Sequence, residues 1–497
     1  MTKSLIKNVV ILGGGTAGWM SAVLIKKVMG SVVNVELVES EAIGTIGVGE
    51  ATIPPIQLFN SVLGLNEAEF LRETKATIKL AIKFDNWKEL NHSYYHTFGA
   101  AGKSLAFCHF HHLLQRAQNL GHQSHLWEYD LNYLCCEAEK FAKINTQDPI
   151  LEMGYAYHFD ASLYAAYLRK LSEQMGVKRT EGMVNDVKQH KESGFIESLI
   201  LKDGQEIQGD LFIDCSGMAG LLTEKKLNTG YEDWSHWLRC DRAVAMPSER
   251  FENTLPYTRS IAHTAGWQWR IPLQHRNGNG LVYSSHHYSE DEAVNILTDN
   301  LESPSLGDPN FIRFRTGRRR KQWNKNVIAV GLSSGFLEPL ESTSIHLIQS
   351  AIVRLLHNFP HQGIDESQVA EYNKQSKIEY EQIRDFIILH YHVNERTDSQ
   401  FWIDVRHMDI PASLKHKIKI FKENGQLFRE QEDLFAESSW LQVMMGQGIQ
   451  PRDYHPLADG VPQDKLFNML DQIKAIKQEP LAKLPTHDEF LNKLCNT

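Results

Sequence analysis

Asn8-Val9-Val10-Ile11-Leu12-Gly13-Gly14-Gly15-Thr16-Ala17-Gly18 runs from a short apolar strand pattern straight into closely spaced glycines. Trp19 to Val28 continues with helical character, and a second strand, Val32 to Val38, ends at Glu39. That order is a βαβ unit with glycines in the GxGxxG spacing and an acidic residue about 20 positions beyond them, the context in which the spacing marks a dinucleotide site. Gly13, Gly14, Gly15 and Gly18 permit the tight turn and the close approach of a pyrophosphate, whose charge faces the helix N-terminus at Thr16 and Ala17. Glu39 is placed to accept from ribose hydroxyls.

NAD and FAD share this unit, so the later strands must choose between them. Leu211-Phe212-Ile213-Asp214-Cys215-Ser216-Gly217 and Val327-Ile328-Ala329-Val330-Gly331 are two further strand-to-glycine returns toward the same sheet. Such returns fit an FAD-binding Rossmann-like domain of the glutathione-reductase-like α/β class, and no second GxGxxG unit is seen for a nicotinamide nucleotide.

Three other segments carry chemistry-bearing residues. Trp267-Gln268-Trp269-Arg270-Ile271-Pro272 puts two indoles and Ile271 on one face of a strand, and Pro272, which cannot donate to a ladder, ends it as a flat aromatic wall. In Thr77-Ile78-Lys79-Leu80-Ala81-Ile82-Lys83-Phe84, alternation puts Ile78, Leu80, Ile82 and Phe84 on one side and Lys79 on the other, while Lys75 and Lys83 read as solvent-facing. Glu341 precedes Ser342 and Thr343, either of which would cap an amphipathic helix from Ser344 to about Asn358, since Ile345, Ile348, Ile352 and Leu355 recur at helical spacing.

The Trp-x-Trp-x-Ile-Pro hexapeptide, Ala76-Thr77-Ile78-Lys79-Leu80 and Pro339-Leu340-Glu341-Ser342-Thr343-Ser344 together resemble the motifs of the flavin-dependent halogenases, the family that includes the tryptophan halogenases. With the N-terminal fingerprint, the likeness runs from residue 7 to about residue 456. It implies a catalytic Lys79 that receives hypohalous acid formed at the flavin, either polarising it or forming a haloamine. It also implies a carboxylate, Glu341, that stabilises the arenium cation and removes its proton. Halide, chloride or bromide, would rest on backbone at Thr343 and Ser344. Trp267 and Trp269 would keep the organic substrate from the flavin, with His96, Phe98 and Trp440 as further substrate contacts. Ala42, Gly49, Glu50, Val184, Leu332 and Ile345 are implied as additional FAD contacts. Gly44-Thr45-Ile46-Gly47-Val48-Gly49-Glu50-Ala51-Thr52 resembles the strap that lies against the flavin. FAD would arrive reduced, as FADH2 from a separate flavin reductase, and the partner substrate would be a small aromatic compound.

Two departures from the tryptophan-specific pattern stand out. Many tryptophan halogenases have glycine at the place of Ser344, and Leu434-Phe435-Ala436-Glu437-Ser438-Ser439-Trp440 lacks the tyrosine pair of the free-tryptophan enzymes. The likeness therefore points to members accepting indole-like compounds. The rival readings are a flavin-dependent aromatic monooxygenase and a flavin-binding protein without catalysis.

A core over residues 1–358, with substrate-side insertions at about 54–130 and 220–310, and a mainly helical lid over 359–497 are expected. The formal charge of −9 speaks against nucleic acid, and Arg318-Arg319-Arg320-Lys321 reads as a solvated turn. No metal is expected: Cys108-His109-Phe110-His111-His112 has no second ligand cluster, and the six cysteines show no disulfide framework. Without a secretory leader pattern or a run of about 18 apolar residues, a cytoplasmic protein with no membrane segment is expected. The oligomeric state is left open, a homodimer being one outcome.

Overall fold

The computed structural model describes residues 5–43 and 49–495. The chain divides into two compact units. One comprises Met1–Ala76, Phe159–Asp241 and Arg313–Glu381; the other comprises Thr77–His158, Arg242–Ile312 and Gln382–Thr497.

Among the described residues, the first unit contains a six-stranded sheet in the order Trp323–Asn324, Val327–Ala329, Leu211–Asp214, Asn8–Leu12, Asn34–Glu39, Lys178–Glu181. All neighbours are parallel except the edge pair Trp323–Asn324 with Val327–Ala329. Val9 to Leu12 and Leu211 to Asp214 are buried throughout, as parallel strands covered on both faces require. The first helix, Thr16–Met29, starts within the glycine run rather than after it. Lys26 and Lys27 sit in its last turn, where they favour the negative end of the helix dipole. The two later glycine returns do enter this sheet, with Val330 donating its N–H to Asp214 O at 3.0 Å.

Arg318 and Arg319 are not a solvated turn. They are buried on the strand Gly317–Arg319 and pair with Glu232 and Glu224, each at 2.6 Å, while Arg320 and Lys321 are exposed. Two buried guanidinium groups are tolerable only because carboxylates distant in sequence meet them.

The second unit is organised on a seven-stranded sheet in the order Asn310–Arg313, Arg242–Glu249, Arg276–Tyr283, Gly266–Pro272, Tyr257–His263, Ala81–Asp85, Ser93–Thr97. Gly266–Pro272 is central and buried along its whole length, including Gln268 and Arg270 on the face opposite the indoles. Arg270 pairs there with Glu302 and donates to Asn300 O at 2.6 Å. Helices Gln400–His407, Ala412–Asn424, Glu437–Gly446, Gln463–Gln478 and His487–Cys495 follow one another along the C-terminal stretch. Among the described residues no helix is long and apolar enough to cross a membrane.

The alternation from Ile78 to Phe84 does not make one strand. Thr77–Lys79 pairs antiparallel with Ala156–His158, whereas Ala81–Asp85 lies between Tyr257–Ile261, parallel, and Ser93–Thr97, antiparallel. Leu80 is the handover: its N–H goes to Pro256 O at 2.8 Å, and its carbonyl accepts Phe98 N–H at 3.0 Å.

Candidate active site

In the first unit, the glycines form a cradle that admits no side chain on its inner side. Gly13 has φ +114°, and a Cβ there would meet Cys215 O at 2.3 Å; a Cβ on Gly18 would lie 1.8 Å from Gly13 O. A Cβ on Gly14 would collide with the Glu39 carboxylate. At Gly15, by contrast, a Cβ would meet no atom of the described residues within 4 Å. Gly15 caps the helix without a side-chain bond, so the first-turn N–H groups of Thr16, Ala17 and Gly18 lack intrahelical acceptors. This is the shape and charge that a dinucleotide pyrophosphate fits. Glu39 ends its strand, with Oε1 2.5 Å from Arg179 Nε and 3.6 Å from Arg169 Nη1. Gly331, at φ +70°, comes so close to the same helix start that a Cβ would be 2.8 Å from Ala17 Cβ.

The remaining expected cofactor residues lie on other segments of the first unit. Leu332 is half-buried in the turn Gly331–Ser333, and Ile345 is buried on the helix Ser344–His357. Val184 opens the strand Val184–Gln189, and Ala42 is exposed in a turn. Gly49 and Glu50 lie on the short strand Gly49–Ala51, and burial pushes the Glu50 carboxyl up to about 7. The strap's residues 44–48 lie outside the described residues.

Glu341 is buried in a single 3-10 turn, Pro339–Glu341, followed by Ser342 in the left-handed region at φ 58°. Thr343 occupies the cap position of the helix Ser344–His357, but its side chain makes no capping bond. Its Oγ1 is buried and has no hydrogen-bond partner among the described residues. A buried hydroxyl beside unsatisfied helix N–H groups suits a small anion. One turn on, His346 Nε2 lies 3.2 Å from Glu379, which also binds Arg354 at 2.6 Å. Burial works against the Glu379 carboxylate, yet the His346 hydrogen bond and the Arg354 charge hold it down at about 2.

In the second unit, Lys79 is completely buried, with Nζ 5.2 Å from the centre of the Phe98 ring, so Phe98 covers the ammonium. Phe98 itself is only half-buried. Lys83 lies over Tyr95 at 5.3 Å and is also not fully solvated.

Trp267 and Trp269 are buried on the strand as expected, but the wall is not flat. Their rings stand edge to face, 6.3 Å apart at 60°. Trp87 packs against Trp267 at 6.3 Å and Trp402 at 5.4 Å, and it donates to Ser260 O. His96 and Trp440 converge on two aromatics that sequence reasoning missed. Phe386 lies 5.6 Å from His96 and 4.8 Å from Trp440, and stacks on Phe435 at 3.8 Å. Phe435 stands in the stretch noted for its missing tyrosines; Phe386 lies inside a long helix, where only its neighbours make it informative. Trp440 carries Lys417 Nζ 4.2 Å over its ring, and its own indole N–H has no partner among the described residues.

The family of tryptophan halogenases matches residues 8–463. Tryptophan 6-halogenase ThaL of Streptomyces albogriseolus is 36% identical, over 92% of both chains. Tryptophan 7-halogenase RebH of Lentzea aerocolonigenes is 33% identical, over 98% of both. Among solved structures, Xcc4156, a flavin-dependent halogenase from Xanthomonas campestris, superimposes with TM-score 0.97 at 46% identity, over 99% of both chains. BrvH, a flavin-dependent halogenase from Brevundimonas sp. BAL3, gives 0.95 at 41%, over 98% of this chain and 99% of its own. With the glycine cradle, the buried lysine and the paired indoles already in place, these likenesses leave one conclusion: the chain belongs to the tryptophan halogenase family and is a flavin-dependent halogenase.

Proposed function

We propose that this enzyme halogenates a small, electron-rich aromatic compound of the indole type, using FADH2 from a separate reductase, oxygen, and chloride or bromide. Bound reduced flavin, with oxygen, supplies the oxidising power that converts halide to hypohalous acid. Thr343 and Ser344 hold the halide, Lys79 receives the hypohalous acid, and Glu341 stabilises the ring cation and takes its proton. Trp267 and Trp269 keep the aromatic substrate away from the flavin, while His96, Phe98 and Trp440 hold its ring. The helical stretch 359–497 serves as the lid on the substrate side, and the reaction takes place in the cytoplasm, where reduced flavin is made.

The burial of Lys79 carries this reading. Removing an ammonium from water costs several kcal/mol, an outlay that a solvent-facing strand lysine avoids. In such a setting each contact to a polarised oxygen or halogen is stronger than in water. The aromatic lining and the missing tyrosine pair support a neutral ring over a zwitterionic amino acid. The test is mass spectrometry of an indole and phenol panel incubated with enzyme, reductase, FAD, NADH, oxygen and bromide. Halide-dependent monobrominated products are expected. Hydroxylated products formed without halide would favour a monooxygenase.

A further inference from the structure

The two residues before Lys79 are each tied to a buried imidazole. Thr77 Oγ1 donates to Pro272 O at 2.7 Å. Its only proton is thereby committed, because a carbonyl can only accept. The contact of 2.9 Å between Thr77 Oγ1 and His158 Nδ1 must therefore run from Nδ1–H to the hydroxyl oxygen. On the far side of the ring, His158 Nε2 lies 2.9 Å from Thr258 Oγ1. Burial, first, and the charge of Lys79, second, hold His158 well below its ordinary pKa, so it is neutral and Nε2 accepts from Thr258. The result is a directed chain: Thr258 to His158 to Thr77 to Pro272.

His487 does the same for the next residue. Its Nε2 accepts the Ile78 backbone N–H at 3.1 Å, and its Nδ1 donates to Thr254 O at 2.8 Å. An imidazole that accepts a backbone N–H must carry a lone pair, and burial lowers the pKa of this one to about 4. Thr77, His158, Thr258 and His487 are all buried, so water does not compete for these bonds.

We infer that His158 and His487 are positioning residues for halogen transfer, fixing the strand Thr77–Lys79 to the last residue of the tryptophan-bearing strand so that the Lys79 ammonium meets hypohalous acid in one orientation. This rests on the reading of Lys79 as the group that receives hypohalous acid. Pro272 gains a role in the same step: lacking an N–H, it ends the strand, and its carbonyl anchors the lysine's strand. Neutral imidazoles suit this place because a second cation beside Lys79 would have to be buried against a like charge.

Thr77→Val keeps the shape of the side chain and removes the link, while Thr77→Ser keeps the hydroxyl. The measurement is halogenated product formed per reduced flavin oxidised, well below the melting temperature. Thr77→Val and Thr258→Val are expected to lower this ratio by about tenfold or more, the scale of a small misplacement of a reacting group, with the oxidation of reduced flavin by oxygen unchanged. Thr77→Ser is expected within about twofold of the parent. Nitrogen-15 NMR of the parental histidines is expected to show His158 as the neutral Nδ1–H tautomer at pH 7. A folded Thr77→Val enzyme with parental coupling, or an Nε2–H tautomer at His158, overturns the inference. Lys79→Ala run in parallel separates the two failures: if it still halogenates, the role of Lys79 itself is wrong; if it does not, and Thr77→Val couples normally, only the positioning relay is wrong.

Discussion

Gly280 stands directly across the ladder from Trp269, and a Cβ on it would lie 2.1 Å from the indole ring. The six-membered ring of Trp269 thus lies over a backbone with no side chain, which lets two indoles share one strand face. Gly280→Ala should push Trp269 out of its edge-to-face contact with Trp267. Overpacking of this kind costs about 1–3 kcal/mol. A lowered melting temperature and poorer coupling of flavin oxidation to product are expected; an alanine enzyme with both unchanged would show that the ring position is immaterial.

Two glycines of the first cradle should separate folding from cofactor binding. Gly18→Ala places a Cβ 1.8 Å from Gly13 O and should destabilise the fold, whereas Gly15→Ala meets no atom of the described residues within 4 Å. Gly15→Ala is expected to melt near the parental temperature yet bind FAD more weakly, because the added methyl fills the space proposed for the pyrophosphate. Thermal melts and flavin-fluorescence titrations check both halves.

Lys79→Ala should abolish halogenated product while reduced flavin still reacts with oxygen. Glu341→Gln should slow product formation by about 10² to 10⁴, the usual range for a lost acid or base. Single-turnover reactions, with flavin absorbance and product followed together, give both values.

The purified chain should not consume NADH or NADPH without an added reductase, since one dinucleotide unit, Gly13 to Glu39, is visible in the sequence. With a reductase present, indole in equal competition with tryptophan should be halogenated faster, with bromide at least as effective as chloride. Product ratios from the mixed reaction decide the first point and parallel reactions in the two halides the second. A clear preference for tryptophan would place an amino-acid grip somewhere within residues 390–460.

Glu379 should make the protein sensitive to acid. Its carboxyl is depressed in the folded state to about 2, so the stabilisation it provides is complete above the unfolded carboxylate range and is lost as pH falls toward 2. The shift corresponds to something on the order of 3 kcal/mol at neutral pH. Glu379→Gln should lower the melting temperature at pH 7 and flatten its fall on acidification; melts from pH 7 down to pH 3 test this.

Where local pattern determined structure, the sequence was readable. The Asn8–Leu12 strand, its glycines and the two later returns are encoded by spacing alone, and they converge on one parallel sheet. What could not be read depends on partners far along the chain. The alternation from Ile78 to Phe84 looks like one strand because side-chain period is blind to a change of neighbour at Leu80. Arg318 and Arg319 look solvated until Glu232 and Glu224 are placed against them. Thr343 was legible as a cap position but not as a hydroxyl left without a capping bond. Phe386 gives no local sign of meeting His96, Phe435 and Trp440, since its helix is amphipathic only weakly and its partners come from two other segments.

The handover at Leu80 also sets where this enzyme can be redesigned. A deletion or insertion of one residue between Thr77 and Phe84 would have to be absorbed at the junction of two sheets, and a slip of the strand Thr77–Lys79 against Ala156–His158 would turn Lys79 to the opposite face. Libraries for new substrates should therefore leave that segment untouched and vary Phe386, Phe435 and Trp440, whose helices and loop are not bound to a strand register.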